Sequence, residues 1–333
     1  MSGKQLKWGV LGCAGIARHA VIPGIMQSEL GVVAAIASRD LSKAKETASE
    51  LNIPVAYGSY EELLADESID AVYIPLPNHL HKEWTIKSAK AGKHVLCEKP
   101  IALNCDEAQE MREACQKAGV QLAEAFMYRL HPRYKMITDI ITSGEIGDIR
   151  GIHGAFTFNN AADLNNVRYK KWMGGGSIYD VGVYPISAAR LILGADPEAV
   201  TVHAFFSPEH DHVDMMASGL LEFPGSVALT FDCGMWAAGR NTLEIVGTAG
   251  RIEVASAYVA LPDRSANFTV ITNVGQREVE VPVVNQYAIQ ADEFARAILS
   301  GKPLRFDSSD AVRNMKVVDA CLKSAKERKR IIL

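Results

Sequence analysis

Two hydrophobic rhythms interleave along the first 125 residues. Short apolar runs at 7–11, 32–37, 55–57, 71–75, 94–97 and 121–125 have the length and β-branched content of buried strands. Between them, residues 15–27, 41–51, 60–64, 80–91 and 105–118 repeat apolar positions at helical spacing. Strand, helix, strand in this alternation predicts a doubly wound parallel sheet with helices on both faces. After Arg129 the rhythm changes. A helix over 133–142 leads into "DIRGIHGAFTF", and "AVTVHAFF", "DMMASGLLEF", "SVALTFDC", "TLEIVG" and "RIEV" follow, joined by turns such as "FPGS" and "GTAG". One helix over 185–193 interrupts these strands, and helices over 287–299 and 310–326 close the chain. The pattern predicts an α/β domain over 1–125 and an α+β domain over 126–333 with a large, open, mainly antiparallel sheet.

Composition narrows the class. Hydrophobic residues are 48% and charged residues 22% of the 333, the balance of a globular protein with a sizeable core. The net charge of −4 comes without a basic block, so neither nucleic acid nor an anionic membrane is an expected partner. Six cysteines lie far apart with no C-x-x-C pair, which suits reduced thiols and argues against a metal site. No apolar run approaches the ~20 residues of a spanning helix. The first strand begins within ten residues of Met1, leaving no room for a signal peptide, so a cytoplasmic location is expected.

The turn after the first strand reads "GVLGCAGIARHA". Glycine at a strand–helix turn lets a pyrophosphate approach the N–H groups that open the helix. Gly12, Ala14, Gly15 and Ile16 are therefore candidate dinucleotide contacts, with Ala14 standing where the usual fingerprint has its middle glycine. At the end of the second strand, "AIASRDL" carries Ser38 and Arg39 where an NAD site usually has an acidic residue. A hydroxyl and a guanidinium suit the 2′-phosphate of NADP, which is favoured over NAD. Asp40 fits better as the N-cap of the following helix than as a ribose ligand.

Ligands of doubly wound sheets bind outside the carboxyl ends of the strands. Two more unusual stretches lie there: "PLPNHLH", with Pro77, Asn78 and His81, and "HVLCEKPIAL", where an apolar strand stops at Glu98, Lys99 and Pro100. Together with "GGGSIYDVGVYP" further on, these motifs resemble the glucose–fructose oxidoreductase/inositol dehydrogenase (Gfo/Idh/MocA) family over nearly the whole chain. Tyr184 stands where the inositol dehydrogenase branch has histidine, so the resemblance is to the branch of dimeric dihydrodiol dehydrogenase and NADP-dependent sugar dehydrogenases. It implies a nicotinamide cofactor, a sugar-like or cyclic polyol substrate, a cis Lys99–Pro100 bond, and a homodimer or homotetramer built through the C-terminal sheet.

Oxidising an alcohol requires a base for the hydroxyl proton, and Tyr184, Lys99 and Asp180 are the candidates. An ammonium ~4 Å from a phenol contributes about 4 kcal/mol at an effective dielectric of ~20, equivalent to about three pKa units before desolvation. Tyr184 is therefore expected to transfer the proton, assisted by Lys99, with Asp180 orienting the substrate. Arg129 and Trp172 are expected to line the pocket. A glycosidase using transient redox at NAD, or a non-catalytic NADP sensor on the same fold, are the competing readings.

Overall fold

The computed structural model describes residues 5–333 and divides them into two compact units. The first comprises the chain up to Met127 together with Asn285–Val312. Strands β1 (Leu6–Leu11), β2 (Gly31–Ala37), β3 (Val55–Tyr57), β4 (Ala71–Ile74), β5 (His94–Cys97) and β6 (Leu122–Glu124) form a parallel sheet in the order β3-β2-β1-β4-β5-β6. The order reverses beside β1, which is the crevice position of a doubly wound fold. Helices α1 (Ile22–Gln27), α2 (Leu41–Glu50), α3 (Tyr60–Ala65), α4 (His81–Lys90) and α5 (Cys105–Ala118) connect the strands. Gly9 lets α3 lie close to β1: a Cβ there would stand 2.6 Å from Leu63 Cδ2.

The expected boundary at 125/126 falls instead at Met127, and the chain returns to the first unit much later. Helix α8 (Gln286–Ser300) packs against α1, placing Ala291, Phe294 and Ala295 in one core with Trp8, Ile22 and Ile25. The rings of Trp8 and Phe294 are 5.1 Å apart. Asp292 Oδ1 accepts from Ser28 Oγ at 2.6 Å and from Leu30 N at 2.9 Å. The periodicity of α8 reveals a buried face but carries no information about which sheet covers it.

The second unit spans Tyr128–Val284 and Arg313–Leu333. It contains α6 (Pro132–Thr142), α7 (Val183–Leu193) and strands β7 (Ile149–Asn159), β8 (Ala199–Ser207), β9 (Val213–Phe223), β10 (Val227–Gly234), β11 (Trp236–Gly247), β12 (Gly250–Ala255), β13 (Phe268–Thr272), β14 (Gly275–Val279) and β15 (Ile331–Ile332). The nine-stranded order is β14-β13-β12-β11-β7-β10-β9-β8-β15, antiparallel except where β10 runs parallel to β7. Helix α7 packs on one face against β7 and β10. The opposite face displays polar and apolar side chains, including exposed Phe205 and Trp236 stacked at 4.8 Å. The last helix, α9 (Ser308–Glu327), contributes its later turns to this unit, where Ser324 Oγ accepts from Val202 N at 2.9 Å. No helix among the described residues is long and apolar enough to cross a membrane.

Candidate functional site

In the first unit, the turn after β1 has the shape a pyrophosphate requires. Gly12 adopts φ +115°, a conformation that favours glycine, and a Cβ there would lie 3.0 Å from Leu76 Cδ2. The helix that follows opens at Gly15 and passes through a π-helical turn, Ala17–Val21, before α1. The N–H groups of its first turn have no intrahelical acceptor and face outward to an anion. Gly15 and Ile16 are exposed beside them, and Ala14 is half-buried. These residues fit a dinucleotide.

At the end of β2, Ser38 is 8% exposed and Arg39 is exposed. Asp40 is the N-cap of α2, its Oδ1 accepting from Ser42 N at 2.9 Å and Lys43 N at 3.3 Å. That carboxylate is committed to the helix, which leaves Arg39 as the charge presented outward. Tyr60, which no sequence motif marks, is buried, with its hydroxyl 3.6 Å from the position of a Gly12 Cβ. Burial raises its pKa, and the nearby Arg39 guanidinium opposes the rise.

The ends of β4 and β5 are joined by His81. Its ring is fully buried, with Nε2 2.7 Å from the Leu76 carbonyl and Nδ1 2.9 Å from the Pro100 carbonyl. The residue expected at the cofactor edge thus lies beneath that edge and ties the Pro77–Asn78 turn to the Lys99–Pro100 turn. Burial pushes its imidazole down to about 4, and the bonds to the two carbonyls oppose that shift. The Lys99–Pro100 peptide is cis. Glu98 Oε1 accepts from the buried Tyr73 hydroxyl at 2.6 Å, and Oε2 accepts from Lys99 N at 3.2 Å. Lys99 and Asn78 are half-buried at the carboxyl ends of their strands.

In the second unit, "GGGSIYDVGVYP" forms a tight loop and then a helix. The helix opens as a π-helical turn, Ile178–Gly182, and continues as α7, so the backbone remains helical through Gly182 between Asp180 and Tyr184. Gly182 lets the helix lie close to β10, since an added Cβ would press on Cys233 Sγ at 3.0 Å. Gly175 is pressed against the backbone of Arg168, whose carbonyl would lie 2.4 Å from an added Cβ.

That packing carries Arg168 to Asp180, where Nε donates to Oδ2 at 2.7 Å. The Asp180 carboxylate holds the guanidinium above its ordinary pKa, and Tyr184 is also within electrostatic reach of it. Tyr184 is 5% exposed, its ring centroid 5.2 Å from Phe156, 5.6 Å from Tyr258 and 5.9 Å from Tyr128. This cage fixes the phenol direction. Neither Arg168 nor the cage lies in a sequence motif, so neither is legible from the sequence.

Arg129 is buried, and its Nε donates to Ser187 Oγ of α7 at 2.8 Å, so it stands behind the helix. Trp172, in the turn Lys171–Met173, is 62% exposed. All six cysteines are free, and the described residues contain no cluster of three or more His, Cys, Asp or Glu able to hold a metal.

Residues 6–126 match the model of an oxidoreductase family with an NAD-binding Rossmann fold, GFO_IDH_MocA, and residues 134–253 match the GFO/IDH/MocA C-terminal domain. An uncharacterized oxidoreductase of Rhizobium meliloti is 40% identical, over 96% of this chain and 97% of its own length. D-xylose 1-dehydrogenase (NADP(+)) 2 of Haloferax volcanii is 38% identical, over 96% and 97%. Among solved structures, KijD10, a 3-ketoreductase from Actinomadura kijaniata in complex with NADP and TDP-benzene, superposes with a TM-score of 0.91 at 33% identity, covering 96% of this chain and 98% of that one.

Proposed function

Because the chain belongs to the Gfo/Idh/MocA oxidoreductase family, we propose that it interconverts a hydroxyl and a carbonyl on a sugar or cyclic diol, with Tyr184 moving the proton. It is an NAD(P)-dependent enzyme acting on CH–OH groups. NADP, the cofactor of its relatives, supplies or accepts the hydride when bound. Gly12, Ala14, Gly15 and Ile16 offer backbone donors to the pyrophosphate, and Ser38 and Arg39 take the 2′-phosphate. Pro77, Asn78, Glu98 and Lys99 form the nicotinamide edge, held in shape by His81 beneath.

In the oxidative direction the Tyr184 phenol oxygen accepts the hydroxyl proton, assisted by the Lys99 ammonium; in reduction it returns that proton. Asp180, oriented by Arg168, accepts a hydrogen bond from a neighbouring substrate hydroxyl. Trp172 offers an exposed ring to the carbon face of a sugar, while Arg129 supports α7 through Ser187. The observation that carries the reading is the caged phenol: three aromatic rings pack around the Tyr184 ring on the helical stretch that also bears an ion-paired carboxylate.

The face of the nine-stranded sheet opposite α7 suits a second copy of the chain. Its depression of about 880 Å³ is lined by His153, Thr201, Ser218, Leu220, Asp232 and Arg240 among others, side chains of both charge signs. A homodimer or homotetramer forms through this face. Free cysteines throughout fit a reducing compartment such as the cytoplasm.

The test is a screen of NADP⁺ reduction with aldoses, inositols and cyclic diols, beside NADPH oxidation with keto-sugars. Turnover with at least one member is expected. Absence of turnover with all of them contradicts the reading and favours a sensor.

A further inference from the structure

Asp214 has no part in the chemistry above, yet it is 2% exposed and forms no ion pair among the described residues. A buried carboxylate without a cation is costly and calls for a compensating role. Its Oδ2 accepts from Ser177 Oγ at 2.8 Å and from Ile178 N at 2.7 Å, where the helical segment that carries Asp180 and Tyr184 begins. Gly176, at φ +125°, lets the carboxylate approach; a Cβ there would lie 2.1 Å from Asp214 Oδ1. The first N–H groups of a helix carry partial positive charge, so a carboxylate satisfies them better than a neutral group.

We propose that Asp214 is a positioning residue: from β9 its carboxylate fastens the start of the segment bearing Asp180 and Tyr184, and so sets where the phenol points. The inference rests on the proposed roles of those two residues. The third glycine of the "GGG" loop thereby acquires a reason that a turn alone does not supply, since any side chain at 176 would displace the carboxylate.

The state of the anchor depends on pH. Burial pushes the Asp214 carboxyl up to about 6, opposed by the bonds from Ile178 and Ser177. The titratable group facing it is the Cys233 thiol on β10, which burial keeps neutral; Asp232 of β10 and Cys321 of α9 act on that thiol, not on Asp214. Both partners at Oδ2 are donors, so a protonated carboxyl anchors the segment less well. Turnover then falls on the acid side of pH 6 while cofactor affinity, which belongs to the first unit, does not.

The experiment compares kcat–pH profiles, NADPH affinity and melting curves of the wild type, Asp214→Asn, Ser177→Ala and Tyr184→Phe, with the fastest substrate of the screen. Asp214→Asn is expected to lower kcat by ~10–10²-fold, to leave NADPH affinity unchanged, and to lose the acid limb near pH 6. Ser177→Ala removes one bond to the carboxylate and is expected to move that limb upward by about 1 pH unit. A folded Asp214→Asn with wild-type kcat or an intact acid limb overturns the proposal, as does a wild-type profile flat through pH 6. If Asp214→Asn does not fold, Ser177→Ala decides: an unmoved limb overturns the proposal and a raised one supports it. Impaired Tyr184→Phe beside fully active Asp214→Asn overturns the anchor alone; fully active Tyr184→Phe overturns the catalytic reading and the anchor with it.

Discussion

Arg168 Nε lies 2.7 Å from Asp180 Oδ2, and the link depends on Gly175, where the backbone of Arg168 leaves no space for a side chain. The triple glycine is thus a packing device that brings a cation to the carboxylate of the helical stretch that also carries Tyr184. Arg168→Ala is expected to lower kcat/KM by about 10–100-fold, the worth of a charge-assisted hydrogen bond, with a melting temperature close to wild type because the guanidinium is partly exposed. Steady-state kinetics beside a melting curve checks it; unchanged kcat/KM removes Arg168 from the account.

Cofactor choice is a separate matter, which the proposal assigns to Arg39, a guanidinium within electrostatic reach of Tyr60. Arg39→Asp is expected to shift the ratio of kcat/KM values from NADPH toward NADH by at least about tenfold, the loss of a charge-assisted contact to phosphate. An unchanged ratio contradicts the role given to Arg39.

Buried histidines make the fold acid-sensitive. His81 and His131 are each pushed down to about 4 by burial, against an ordinary value near 6.5. Between these values the unfolded chain binds protons that the folded chain does not. Stability is therefore fully present above pH 6.5 and falls as pH drops toward 4, by up to about 3 kcal/mol for His81. Asp214 acts oppositely: its protonation at about 6 relieves a buried charge, a gain that the two histidines outweigh. Denaturant melts from pH 7 to 4.5 should show this loss, and His81→Gln should flatten the slope. An unaltered slope in that variant would assign the acid sensitivity elsewhere.

Residues Asn285–Val312 complete the first unit. Phe294→Ala, which removes the ring packed on Trp8, is expected to cost about 3–5 kcal/mol of stability. A loss below ~1 kcal/mol in denaturant titration would mean that α8 is dispensable to that core.

The parallel sheet was legible in the sequence because strands buried on both faces read as continuous apolar runs, and the lysine just past β5 stood out against its run. Asp40 as N-cap and the cis bond before Pro100 were also anticipated. Three features were hidden. The return of α8 to the first unit is a contact between segments more than 250 residues apart, as Ser28–Asp292 shows, and periodicity does not encode partners. His81 has the residue type of a ligand, but its burial comes from two carbonyls that a sequence does not place. Arg168 and Asp214 lie outside the motif they serve, one before the glycines and the other on a strand beyond α7.

The central claim is that the Tyr184 phenol moves the proton. Tyr184→Phe keeps the ring in its cage and removes only the hydroxyl, so folding and NADPH affinity should hold while kcat falls ~10²–10⁴-fold with the fastest substrate of the screen. Lys99→Met should reduce kcat similarly. A Tyr184→Phe enzyme turning over at the wild-type rate would contradict the account.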